Sequence, residues 1–392
     1  MQFRNLLVIL SGVILFNCAP ESADEKEKTT SERDNPVENR IDSLLSLMTI
    51  KEKIGQLNQY SVGEELTGPG EKTGKNKIRL QQLHNGEVGS VLNLLGADNT
   101  RQLQEQVLEK SRLKIPVLFA YDVIHGYKTL FPVPLGESAS WDMDYIKQAA
   151  AVAADESSAA GLHWTFAPMV DVGRDPRWGR VMEGAGEDSY LGSEIARARV
   201  SGLQGDDLSA YNTIAACAKH FAGYGFVEGG KDYNNVNVGM STLMNIIIPP
   251  FKAAEEAGAA TFMNAFNDID GVPSTANDFL LQDLLKEQWG FEGFVVSDWN
   301  SIGEMVAHGT VADKAEAAMM AINAGTDMDM EADAYNTALS QLVEDGKVDI
   351  KAIDEAVRRV LRIKYRLGLF DDPFKYHDAA REKETLLKDE HL

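Results

Sequence analysis

The strongest constraint on this chain is a rhythm. Short apolar runs recur at 88–95, 117–123, 164–172, 214–221, 260–267, 294–299 and 325–330, and longer helix-like stretches separate them. Strands spaced by helices have room to cross over and run the same way, so this order predicts a parallel sheet with helical connections. An eighth run at 55–60, weakened by Gln56 and Gln59, would close the sheet on itself. The prediction is therefore an α/β chain folded as a TIM-type (β/α)8 barrel over 36–369, irregular in its first strand. Two helices are legible in detail. Ala312 to Ala324 ends at Gly325, and Asp349 to Leu367 puts Ile353, Val357, Val360 and Leu361 on one face with Gly368 at its end.

The residues at the close of each run narrow the function. Asp122 and His125 follow the run at 117; Asp171, Arg174, Asp175 and Arg177 that at 164; Lys219 and His220 that at 214. Asn264 and Asn267 follow the run at 260, Ser297, Asp298 and Trp299 that at 294, and Asp327 and Asp329 the last. One aspartate closing a strand means little, because Asp also caps helices and makes turns. Repetition at strand after strand means more: the carboxyl ends of barrel strands open onto one face, where active sites are built. The residue types suit a sugar, since carboxylates accept from hydroxyls, Lys, Arg and His donate, and Trp offers a flat apolar face.

Competing readings attach to the same residues. Asp122, His125 and His220 are conceivable metal ligands, but no H-E-x-x-H, H-x-H or clustered Cys/His spacing accompanies them, and no metal is predicted. Glycines at 223, 225, 229 and 230 fit neither a P-loop nor a dinucleotide fingerprint, so no cofactor is predicted. Asp175 and Arg177 are read as a pair that shapes a loop. Lys219 and His220 could be a buried polar pair supporting a strand end, and Asp298 could cap a helix over 301–307.

Charge and termini bound the setting. Sixty acidic against 38 basic residues leave a net charge of −22, a field that repels nucleic acid and anionic lipid surfaces. At the start, Arg4, the apolar stretch from Leu6 to Phe16, Asn17 and Cys18 resemble a bacterial lipoprotein signal, too short to span a bilayer. The expected layout is a signal peptide at 1–17, acylated Cys18, and a charged disordered tether over 18–35, with membrane attachment only through the lipid. That implies an exported protein, periplasmic or on the outer membrane; plain secretion and a retained anchor are the alternatives. The other cysteine, Cys217, lies in an apolar run and reads as a small buried hydrophobe.

Longer motifs carry a resemblance. Ala120-Tyr-Asp-Val-Ile-His-Gly126, Phe131-Pro-Val-Pro-Leu-Gly136, Gly173-Arg-Asp-Pro-Arg-Trp-Gly-Arg180, Glu183-Gly-Ala-Gly-Glu-Asp188, Lys219-His-Phe-Ala-Gly223 and Val295-Val-Ser-Asp-Trp299 occur in this order. Together they resemble the N-terminal barrel of glycoside hydrolase family 3, over roughly residues 36 to 375, and most closely its bacterial β-glucosidase branch. The resemblance implies a retaining exo-acting β-glycosidase working on β-linked oligosaccharides or glucosides, with β-xylosidase activity as an alternative. It implies Asp298 as nucleophile, Asp122 as the carboxylate gripping sugar hydroxyls, Arg180, Lys219 and His220 as donors, and Trp299 flanking the sugar. In a retaining mechanism a second carboxylate about 5 Å from the nucleophile protonates the leaving oxygen.

In two-domain members that acid/base glutamate comes from a second α/β domain. Here 370–392 resembles the interdomain linker and the start of that domain, with a helix expected to begin near Thr385 and to lack a cap. The single-domain members use an Asp-x-His pair, and the corresponding loop, Gly229-Gly-Lys-Asp-Tyr-Asn-Asn235, has no histidine. Lys231 replaces a common Arg, and Phe266 replaces a Tyr found in some relatives. Three explanations compete: a fragment, a second domain on a separate polypeptide, or a barrel lipoprotein that binds sugar without hydrolysing it. Glu228 and Asp232 are the acids within the chain that could substitute.

Overall fold

The structure, a computed structural model, describes residues 35–62 and 76–391. The signal peptide expected at 1–17, Cys18 and the tether up to 34 lie outside the described residues.

Among the described residues, ten strands form in chain order: β1 Asn58–Ser61, β2 Ser90–Leu92, β3 Leu118–Tyr121, β4 Trp164–Thr165, β5 Cys217–Phe221, β6 Thr261–Asn264, β7 Asp268–Ile269, β8 Val272–Pro273, β9 Phe294–Val296 and β10 Asp329–Met330. The parallel order β10-β1-β2-β3-β4 makes one arc and β5-β6-β9 another, while β7 and β8 form a small antiparallel hairpin. Parallel bridges join the arcs, from Trp164 to Ala215 and Met169 to Lys219 on one side and from Val296 to Met328 on the other. Eight parallel strands therefore close into the predicted TIM-type barrel, each following its neighbour in sequence.

The irregularity falls elsewhere than predicted. β1, expected to be the poor strand, is buried throughout and pairs on both sides. Its glutamine is tolerated because Gln59 Nε2 donates to Ser90 Oγ at 2.7 Å on the adjacent strand. The distortion lies in β5, where the register against β6 slips between Ala218 and Phe221. That slip coincides with Lys219 and His220.

The helices follow their local chemistry. Helix α1 (Pro36–Leu47) starts with Pro at its first position, and α2 (Ile50–Gln56) carries a full capping box in which Thr49 and Glu52 exchange hydrogen bonds. Helices α3 (Met143–Ala159) and α4 (Ser189–Gln204) are capped by Asp142 and Asp188 and pack together through small residues such as Ala150 and Gly202. α5 (Ser301–Ala307) follows β9 directly. α6 (Lys314–Ala324) runs from the cap Asp313 to left-handed Gly325, and α7 (Ile350–Arg366) buries the predicted face of Ile353, Val357, Val360 and Leu361. Burying each such aliphatic side chain contributes roughly 1.5–3 kcal/mol.

The barrel interior is plugged below its mouth. Trp164 is fully buried against Phe166 and Phe294, with ring centroids 4.9 and 5.0 Å apart, and its indole N–H donates to Thr261 Oγ1 at 2.8 Å. Buried Cys217 sits in the same core, its thiol pushed up to about 12 by burial, in keeping with an inert packing role.

The tail departs from expectation. Its helix, α8 (Ala379–Thr385), ends at Thr385 instead of beginning there and is capped by Asp378, which accepts from the backbone N–H groups of Ala380 and Arg381. Tyr376 is buried, Lys375 Nζ donates to Ser209 O at 2.6 Å, and Arg381 reaches Ser158 Oγ at 2.7 Å on α3. The acids Asp155 and Glu156 hold Lys388 and His391.

Candidate active site

At the carboxyl ends of the strands lies a cavity of roughly 300 Å³, within the range of about 300–1,000 Å³ common for small-molecule sites. Its wall takes Leu92 from the end of β2, Asp122 after β3, Phe166 after β4, Lys219 from β5, Met263 from β6, Asp298 and Trp299 after β9, and Met330 from β10. Loops add Ile124, Arg180, Glu183, Tyr233 and Phe266. The lining combines apolar and aromatic side chains with charged ones, which suits a ligand with hydrophobic faces and hydroxyl edges.

Asp298 is held by its own backbone. Its N–H donates to Asn264 Oδ1 at 3.3 Å, and Asn264 is in turn fixed by donating to Thr326 Oγ1 at 2.8 Å. Carboxylate oxygen Oδ1 accepts from the Trp299 N–H at 2.7 Å, whereas buried Oδ2 accepts no hydrogen bond and faces His220 Nε2 at 3.5 Å. Burial pushes the carboxyl up to about 6, against the opposing pull of Arg180 and Lys219. Above that pH the group is an anion with one uncommitted oxygen. Helix capping does not explain it: the cap position of α5 belongs to Asn300, at φ +58°.

The surrounding charges are paired and oriented. Lys219 Nζ donates to Asp122 Oδ1 at 3.0 Å, with the lysine buried and the aspartate partly open to the cavity. Arg180 forms a fork on Glu183, through Nε to Oε1 at 2.7 Å and Nη2 to Oε2 at 2.9 Å. Burial raises the Glu183 carboxyl, but the Arg180 fork and the Lys219 charge outweigh it and hold the group below its ordinary value. The guanidinium also lies over the Tyr224 ring at 5.6 Å. His220 does not line the cavity. It is wholly buried behind Asp298, its Nδ1 is 2.8 Å from Asp171 Oδ2, and its ring meets Tyr224 edge-on at 5.2 Å.

A close backbone approach builds this wall. A Cβ on Gly225 would sit 2.1 Å from Val172 O, so only glycine lets the loop after β5 lie against the loop carrying Asp171. Arg174 N then donates to Gly225 O at 3.0 Å.

Of the residues singled out in the sequence, Asp122, Arg180, Lys219, Asp298 and Trp299 meet around one cavity, with His220 directly behind. Others separate. Asp175 and Arg177 pair with each other on an exposed loop. His125 Nδ1 donates to Phe131 O at 2.8 Å, Asp327 is engaged by buried Lys286, and Asp329 accepts from the N–H groups of Ala332, Ala334 and Tyr335. Asp232 Oδ1 accepts from Trp178 Nε1 at 2.8 Å, Glu228 accepts from Asn237, and neither lines the cavity. Sequence reasoning does not single out Glu183 or Tyr233 as site residues. The spacing Arg180-x-x-Glu183 is the available signal for the first; for Tyr233, which packs on Phe266 at 4.7 Å, nothing local marks it.

Comparisons with known proteins place the chain in a family. The sequence profile described as "Glycosyl hydrolase family 3 N terminal domain" matches residues 49–363. The chain is 44% identical over 336 residues to a protein named "Periplasmic beta-glucosidase" from Salmonella typhimurium, covering 86% of this chain and 43% of that protein. It is 35% identical over 387 residues to a "Putative beta-xylosidase" from Formosa agariphila, covering 94% and 50%. Among solved structures, a β-glucosidase from Listeria innocua in complex with isofagomine superposes with a TM-score of 0.84 at 41% identity, covering 90% of this chain and 49% of that one. The chain thus spans about half the length of the relatives it matches. By the extent of that match and by the barrel that carries it, the chain belongs to glycosyl hydrolase family 3, as the family's N-terminal domain.

Proposed function

We propose that this barrel is the nucleophile-bearing half of a retaining exo-β-glycosidase, acting on terminal β-D-glucosyl residues. The observation that carries the reading is Asp298, a buried carboxylate at the barrel mouth with Oδ1 pinned and Oδ2 free. The carboxylate attacks the anomeric carbon and forms a glycosyl ester as the aglycone oxygen departs; water later cleaves the ester. Asp122 accepts hydrogen bonds from sugar hydroxyls, Lys219 and Arg180 stabilise charge beside them, and Trp299 covers a ring face.

Departure of an ordinary sugar alcohol needs an acid. Among the described residues, Asp122 and Glu183 are the other carboxylates lining the cavity, and each is committed to a cation. We place the acid/base glutamate on a second domain beyond 36–369, with 370–392 leading towards it. The names of the relatives, β-glucosidases in several organisms, support glucose as the sugar, and the β-xylosidases keep xylose as the second choice.

An activated aryl 2-deoxy-2-fluoro-β-glucoside tests this, because its leaving group scarcely needs protonation. The expected outcome is one covalent sugar per chain, on the peptide containing Asp298. Tight sugar binding with no covalent label would establish the non-hydrolytic alternative, and a label on another residue would remove Asp298 as nucleophile. We further propose export with a lipid on Cys18, a reading supported by the apolar stretch from Leu6 to Phe16 and by the periplasmic relative. Loss of radiolabelled fatty acid from Cys18→Ser checks it.

A further inference from the structure

Three buried groups run inward from the cavity wall: Asp298, which lines it, then His220, then Asp171. Asp171 uses a single oxygen, Oδ2, to receive both the His220 backbone N–H at 2.9 Å and ring Nδ1 at 2.8 Å. The far ring nitrogen, Nε2, points at Asp298 Oδ2 across 3.5 Å, and both atoms are buried without a hydrogen-bond partner. With Asp171 ionised, Oδ2 has no hydrogen to give, so the ring nitrogen beside it carries one. Burial pushes the Asp171 carboxyl up to about 7, so this holds from neutral pH upward.

We propose that Asp171 is a positioning residue that locks His220 as the Nδ1–H tautomer, so that no donor is delivered to the Asp298 carboxylate from behind. A carboxylate spared that hydrogen bond keeps more of its charge for attack, whereas an Nε2–H would stabilise the anion and blunt it. Ionised groups of both signs surround the pair. Arg180, from the loop after β4, and Lys219, next to His220 on β5, oppose an imidazolium, while Asp122, Glu183, Glu304 and the Tyr224 hydroxyl face the site from other elements. Burial and the two cations push the imidazole well below its ordinary value, which keeps it neutral and makes the tautomer matter. The inference rests on Asp298 being the nucleophile.

Two substitutions separate the acceptor from the charge. Asp171→Asn keeps an oxygen for both N–H groups and removes the charge; Asp171→Leu removes the acceptor. Selective 15N labelling of histidine, with His220 assigned through His220→Gln, is expected to show Nδ1–H in the unmodified chain and in Asp171→Asn, and Nε2–H in Asp171→Leu. In fluoroglucoside labelling, Asp171→Asn should stay within about 3-fold of the unmodified rate, because the His220 backbone N–H holds its amide oxygen, not its NH2, beside the ring, while Asp171→Leu falls at least ~10-fold. The acid limb of the Asp171→Leu pH profile should also move down by about one unit, because the new donor favours the anion. An Nε2–H signal in the unmodified chain, equal losses in both variants, or a slowed Asp171→Leu with an unmoved limb would overturn the proposal. Failure of the unmodified chain to label at Asp298 would count against the glycosidase reading instead, and the nitrogen shifts would still report the tautomer.

Discussion

Asp298 and Asp327 are both buried aspartates, two residues past the end of β9 and two before the start of β10, yet they are treated oppositely. Asp327 Oδ1 receives Lys286 Nζ at 2.7 Å and Oδ2 receives the Val295 N–H at 2.7 Å, so each oxygen has a partner. Asp298 has its Oδ1 bound and its Oδ2 left bare, with the carboxyl pushed up to about 6 by burial. A buried polar atom without a partner costs stability, and a fold retains one where something else benefits. The contrast teaches that burial of an acid is common to scaffold and site; an unsatisfied oxygen on an acid that also lines the cavity distinguishes the site.

Substitutions at the two aspartates should therefore fail in different ways. Asp298→Ala is expected to lower the fluoroglucoside labelling rate by about 10⁴-fold or more, the scale of removing a catalytic nucleophile, while the circular dichroism of the chain stays unchanged. A variant that still labels at a near-normal rate breaks the comparison. Asp327→Ala leaves Lys286 charged and buried, so an unfolding loss of about 3–5 kcal/mol is expected in denaturant titration, with labelling per folded molecule little changed.

Lys219→Met tests the middle ground, since Lys219 is buried like a scaffold residue but touches Asp122 at the cavity. The expected result is roughly 10²-fold slower labelling, near 2.7 kcal/mol, and weaker binding of a glucose-like amine inhibitor measured by calorimetry.

pH sharpens the contrast further. The nucleophile works as the anion, so labelling should fall as pH drops through about 6. Stability should move the other way. The folded carboxyl binds its proton more tightly than the unfolded one, so ionising Asp298 costs stability as pH rises from the unfolded value towards and through about 6. Asp298→Asn should then melt higher than the unmodified chain at pH 8, by roughly 2–5 °C, with no such difference between the two at pH 4. A Tm gain at pH 4 as large as that at pH 8 would show that packing, not charge, is responsible. The smallest effect belongs to Arg177→Ala: its pairing with Asp175 is exposed, and neither Tm nor labelling should change measurably.

Much of the architecture was legible because it is local or periodic. The apolar face of Asp349 to Leu367 became α7, and the runs ending in Asp122, Lys219 and Asp298 became β3, β5 and β9. The eighth strand was harder to read because Gln59 is buried by pairing with Ser90, a partner 31 residues away. The site was partly legible for a similar reason. Asp122, Arg180, Lys219, Asp298 and Trp299 stand in long motifs, whereas Tyr233 reaches the cavity only through a loop turned back by long-range packing on Phe266.

The amino-acid order alone determined a parallel closed sheet and the kinds of side chain at its mouth, because strand and helix periods, caps and strand-end residues are written within a few positions of one another. Which of the strand-end acids became free and which became tied was decided only by the folded barrel. Asp171, Asp298 and Asp327 look alike in sequence, and their difference lies in which N–H groups arrive at each oxygen: distant segments bring them to Asp171 and Asp327, whereas Asp298 receives only that of its neighbour Trp299.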